Sequence, residues 1–70
     1  MGNMTIEAAS EMIYQSAREC AREGGTAENA ASLLEMVSTH PDYAEAIDLL
    51  AEEYGMAATV RQFAEAMGAN

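Results

Sequence analysis

Apolar residues recur along this chain at intervals of three and four, in four stretches separated by glycine and proline, and nowhere alternate with polar residues as a strand would. Ile6, Ala9, Ile13, Ala17 and Cys20 fall on one side of a helix wheel, with Glu11, Gln15, Arg18 and Arg22 opposite, and predict a helix over residues 5–23. Gly24-Gly25 ends it, because the first residue past a helix commonly takes a conformation that only glycine enters freely. Ala30, Leu33, Leu34 and Val37 predict a second helix over 27–39, with Thr26 as its N-cap. His40-Pro41 interrupts the pattern: proline disfavours a helical residue before it and suits the first position of a new helix, where Asp42 complements the dipole. A third stripe, Tyr43, Ile47, Leu50 and Tyr54, runs up to Gly55. The fourth, Met56, Val60, Phe63 and Met67, begins at residue 56 or 57 and closes at Gly68. The pattern therefore predicts one all-α domain over 1–70, with 1–4 as a flexible N-terminus. Its expected form is a compact bundle of four short helices whose connections hold sequential neighbours together.

Composition limits the core. Half of the 70 residues are hydrophobic, yet 15 of those 35 are alanine, and there is no tryptophan. A domain of this length buries only about 60% of the surface its unfolded chain exposes, so self-association or a partner would add stability. Weak homodimerisation is one expectation.

Charge excludes more than it assigns. Twelve Asp and Glu stand against three arginines and no lysine, a formal net charge of -9. Arg18, Arg22 and Arg61 cannot make the basic stripe that binds phosphates, so direct nucleic-acid binding and anionic membranes are both excluded. Such a surface suits a basic protein partner and steers it by long-range attraction. The opening residues lack a basic and an apolar region, so no signal peptide is expected; no apolar run reaches about 20 residues, so no membrane span is expected either. A soluble cytoplasmic protein is the default reading.

The chemistry of enzymes is not written here. A lone cysteine rules out an internal disulfide, and Cys20 with His40 supplies no zinc constellation. Cys20 lies on the apolar stripe and reads as a small core residue, while His40 before proline reads as a cap or turn residue. No glycine-rich phosphate loop occurs. The acids Asp42, Glu45 and Asp48 have helical spacing, which fans carboxylates along a rod rather than around a calcium ion. No catalytic residue, metal or cofactor is expected.

The stretch 50–60 resembles the helix-turn-helix of small transcriptional regulators. Ala51 four residues before the turn glycine, Gly55 itself and the apolar Met56 after it match that family's pattern. The resemblance implies that the last two helices adopt a helix-turn-helix-like arrangement. The next apolar position, Val60, comes one residue early, and the following helix offers only Arg61 and Gln62 to base edges, in a half-chain with six acids and one arginine. The pair is therefore expected to make protein contacts, not DNA contacts.

The candidate site is on the third helix. Asp42, Glu45, Asp48 and Glu52 recur at spacings of three, three and four, opposite the apolar stripe. Leu49 points about 130° from that stripe, among Glu45, Glu52 and Glu53: either a neighbouring helix covers it or it faces outward, and an outward leucine so ringed resembles an interface anchor with a charged rim. Four charges over ten residues at 1.5 Å rise give roughly one per 4–5 Å, close to the about 3.4 Å of a single DNA strand. In size, charge and lack of catalytic residues the chain resembles the anti-CRISPR and anti-restriction inhibitors encoded by phages. That resemblance implies a non-catalytic binding protein that occupies a basic surface of a nucleic-acid-handling complex; the charge spacing permits mimicry of a nucleic-acid strand, and the helical pattern makes Asp42, Glu45, Asp48, Leu49, Glu52 and Glu53 the candidate contact residues. The alternative is a small homodimeric regulatory, antitoxin-like or adaptor module built on the helix-turn-helix-like pair.

Overall fold

The computed structural model describes residues 4–68. The expected flexible segment over 1–4 therefore falls, apart from Met4, outside the described residues; Met4 is half-buried against the core. Helix α1 spans Ile6–Arg22, α2 Ala30–Val37, α3 Pro41–Tyr54 and α4 Met56–Gly68, with one turn of 3-10 helix, Ala27–Asn29, ahead of α2. No strand occurs among the described residues. The chain is all-α. Its radius of gyration, 10.9 Å, is that of a compactly folded chain of this length, for which about 11 Å is expected.

Each helix starts and stops for a local reason. Thr5 is extended (φ -86°, ψ 163°) and its hydroxyl accepts the Ala8 amide at 3.0 Å, satisfying a donor the first turn cannot. At the other end Gly24 (φ 98°) lets the chain reverse, with Gly24 N–H donating to Ala21 O at 3.1 Å and Gly25 N–H to Cys20 O at 2.8 Å. Those two bonds are the Schellman pair that closes a helix. His40 caps α3: its Nδ1 accepts the Asp42 amide at 3.3 Å, and Pro41 occupies the first helical position. One residue, Gly55 (φ 93°, ψ 153°), joins α3 to α4. Its carbonyl accepts both the amide and the buried hydroxyl of Thr59, at 3.1 and 2.9 Å.

The second helix is shorter than the pattern predicts. Thr26 forms no side-chain cap bond; its Oγ1 accepts the side-chain Nδ2 of Asn29 at 3.4 Å, while Asn29 N–H donates to Thr26 O at 3.0 Å, and residues 27–29 wind as 3-10 helix before α2 begins. It ends at Val37 because Ser38 and Thr39 donate their hydroxyls back to Glu35 O and Met36 O, at 2.6 and 2.7 Å, as side chains that compete with the helical ladder do.

Helix α1 packs on both α3 and α4, these two pack on each other, and α2 rests chiefly on α4. Ile13, Ile47, Leu50 and Phe63 are the large residues at the centre. Five of the eleven core residues, Ala9, Ala17, Ala30, Ala46 and Ala66, are alanines, so here alanine acts as a close-contact position between helices. Two expected core positions are not buried: Tyr54 is 57% and Met56 53% exposed. They flank Gly55, the one-residue joint between α3 and α4, and Met56 lines an open groove shared with α2. Ser16 and Thr59 take interior places the stripes did not include, Ser16 donating its hydroxyl to Ile13 O within α1 and Thr59 to Gly55 O just before α4.

Arg18 also departs from the solvent face predicted for it. It is half-buried, and Nη1 donates to Ala66 O at 3.2 Å and Met67 O at 3.1 Å. A cation thus sits where α4 ends in unpaired carbonyls and partial negative charge, tying the two helices together across nearly fifty residues of sequence.

Candidate functional site

Helix α3 builds the acidic face. Its cap and Pro41 fix where the helix begins, and burial of Ala46, Ile47 and Leu50 fixes its rotation. Asp42, Glu45, Asp48, Glu52 and Glu53 are left exposed as a result. Three of them converge. Glu45, Asp48 and Glu52 line a shallow depression of about 500 Å³ together with Leu49 and Met4. Asp42 stands apart at the start of α3, its Oδ2 3.9 Å from His40 Nδ1, and Glu53 lies outside the depression.

Of the two placements the wheel leaves open for Leu49, the structure shows the covered one. It is half-buried and packs against the edge of the core, because α3 is covered on two sides, by α1 and α4. Met4 joins the site with no signal in the helical pattern to announce it. It enters from the segment before α1 and gives the depression a second apolar wall.

Among the described residues no cationic side chain is paired with Glu45, Asp48, Glu52 or Glu53, and Arg18 is committed to the end of α4. Carboxylates so placed repel one another and attract any cationic group that approaches, more strongly at low ionic strength. Among the described residues no three Asp, Glu, His or Cys side chains are grouped to hold a metal ion. No described helix is long and apolar enough to cross a membrane.

Cys20 and His40 come nearer each other than their sequence positions suggest, since both line a groove between α1, α2 and α3. The pair is not set up for nucleophilic chemistry. Burial pushes the Cys20 thiol above its ordinary value, and Glu23 and Glu19 raise it further, the reverse of what activates a thiol. His40 Nδ1 is engaged in capping α3.

No family model matches the chain, and no curated protein and no solved structure does either.

Proposed function

We propose that this chain is a non-catalytic acidic binding protein that places the α3 face on a basic surface of a larger, nucleic-acid-handling protein and blocks or modulates it, in the manner of anti-CRISPR inhibitors. The observation carrying this reading is the convergence of Glu45, Asp48 and Glu52 around Leu49 with no cation within ion-pairing reach among the described residues. Charges left unpaired in this way cost the fold self-repulsion and gain it back only against a cationic surface. Leu49 and Met4 offer an apolar centre to a charged rim, the usual anatomy of a protein interface.

The test is capture from extracts of the native host with the immobilised protein, alongside a variant carrying Glu45→Gln, Asp48→Asn and Glu52→Gln. The expected partner is a nucleic-acid-binding protein that is released by rising salt, displaced by added nucleic acid and missed by the variant. Equal capture by both forms, or capture that ignores salt and nucleic acid, refutes the proposal.

A further inference from the structure

The α2 helix is only eight residues long and leans on α4 through Ala30 and Leu34. Its other flank, Leu33, Met36 and Val37 at helical spacing, is left facing a gap toward α1 and α3. That gap is a groove of about 480 Å³. Tyr43 of α3 closes its floor beside Leu33 and Val37, all three being half-buried, while Met36 stands at the lip 67% exposed. The opposite lip belongs to α1 and is acidic: Glu19 and Glu23, one helical turn apart. Arg22 lies on the far flank of Glu19, outside the groove.

We propose that this groove is a docking site for an amphipathic helix of a partner protein, one that lays apolar side chains between Met36 and Tyr43 and carries Lys or Arg along the edge facing Glu19 and Glu23. Helices recognise apolar grooves in this mode, and methionine, flexible and polarisable, adapts such a surface to its ligand. The acidic lip decides the occupant. A wholly apolar helix would strip water from two carboxylates and leave them unpaired, and an acidic one would be repelled. A second copy of this chain brings the same acidic lip and a net charge of -9. The negative field reaches into the groove itself, since Glu23 and Glu19 both raise the thiol of Cys20, which lines it. The groove lies on the other side of α3 from Glu45, Asp48 and Glu52. It stands whether or not the acidic face has a partner.

The probe is a Leu/Lys peptide patterned as an amphipathic helix, with its Leu/Glu counterpart as control. Both are titrated into the full chain while methyl resonances of Leu33, Met36 and Val37 are followed and Cys20 alkylation is timed. The Leu/Lys peptide is expected to shift those three residues, slow alkylation and bind less tightly as salt rises. Met36→Gln and the pair Glu19→Gln, Glu23→Gln should each weaken it by roughly five- to tenfold. Met36, Glu19 and Glu23 are solvent-facing, so helicity by circular dichroism should be unchanged. Shifts centred on Leu49 with Met36 silent would place the peptide on the α3 face and overturn the proposal. So would equal binding of the Leu/Glu peptide, affinity indifferent to these variants, or protection of Cys20 that grows with protein concentration in the absence of peptide, the mark of a second copy in the groove.

Discussion

Replacing Gly25 by alanine should destabilise this protein more than replacing Gly24, although Gly24 is the one in a left-handed conformation. A Cβ at Gly25 would stand 2.9 Å from Cys20 O, 2.9 Å from Leu33 Cδ1 and 3.1 Å from Met67 Cε. The two side chains have some freedom to move. The carbonyl has none to spare, because it already accepts Gly25's own amide at 2.8 Å in the bond that closes α1. Overpacking of this kind costs about 1–3 kcal/mol, in the upper half of that range where a backbone atom is involved, and the stiffer unfolded chain returns about 0.4–1 kcal/mol, leaving a net loss of roughly 1–2.6 kcal/mol. At Gly24 a Cβ meets nothing within 4 Å, and the cost is the strain of φ 98° alone. That is about 1–2 kcal/mol, less the same entropic return, or roughly 0.5–1 kcal/mol net.

Against a total stability of about 3.5–10 kcal/mol for a domain of this length, the Gly25 change is severe. Each kcal/mol moves the melting point of so small a domain by about 4–8 °C, so Gly25→Ala should melt roughly 4–20 °C lower and Gly24→Ala roughly 2–8 °C lower. Thermal and urea unfolding followed by circular dichroism measures both. Adding Leu33→Val to Gly25→Ala should recover part of the loss in a double-mutant cycle, and only part, since the carbonyl stays. If Gly25→Ala melts with the wild type while Gly24→Ala falls, then Leu33 and Met67 do not close over the turn, and the account of how α1, α2 and α4 meet is wrong.

Arg18→Met keeps much of the side-chain stem but removes the cation from the end of α4, and should cost about 1.5–2 kcal/mol, the low end for a charged hydrogen bond because the site is half-open. Hydrogen exchange should quicken first in the last turn of α4; unchanged melting and exchange would show that the two contacts to Ala66 and Met67 contribute nothing. The Cys20 thiol, raised by burial and then by Glu23 and Glu19, keeps its proton in the folded state at pH values where the unfolded chain has lost it. Its contribution to stability is therefore complete below the ordinary thiol range and is lost as pH rises through the raised value. Alkylation of the folded protein should need more alkaline pH than that of the urea-unfolded chain, and Glu23→Gln should narrow the difference; identical pH profiles would contradict this. On the α3 face, Glu45→Gln and Asp48→Asn should slow association with a basic partner and flatten its salt dependence, while Leu49→Ala speeds dissociation and also lowers the melting point, because Leu49 touches the core. A Leu49→Ala protein with unaltered partner dissociation would remove Leu49 from the interface.

The helices were legible because their signals are local. Thr5, Gly24, His40-Pro41 and Gly55 each satisfy or redirect backbone groups within a few residues, and a local device needs no knowledge of the rest of the fold. What the sequence hid depends on a neighbour far along the chain. Arg18 looked like a solvent-facing residue because its place on α1 is opposite Ile13, and nothing nearby announces that α4 ends there. Met4 joined the candidate site for the same kind of reason, by proximity to α3 in space alone. Ser16 and Thr59 were passed over because a hydroxyl counts as polar in a pattern. A hydroxyl that bonds a backbone carbonyl three or four residues back has no further demand for water, and the interior admits it.

Leu49 shows how a small residue shifts the reading of a whole face. A stripe drawn through Tyr43, Ile47, Leu50 and Tyr54 puts Leu49 about 130° away, well out in solvent. Ala46 belongs to the buried arc, at 0% exposure, and lies only about 60° from Leu49 around the helix. Tyr54, used to set the stripe, is exposed. Moving the arc toward Ala46 turns Leu49 from an isolated anchor into the shoulder of the core, with its outer part in the depression among Glu45, Asp48 and Glu52. The change alters what the site can do. An apolar group fixed against the core gives a partner a rigid contact and loses little side-chain entropy on binding, whereas a free leucine would have to be ordered first. The acids around it remain exposed, so in the proposed interface attraction and anchoring would come from neighbouring residues on a single helix.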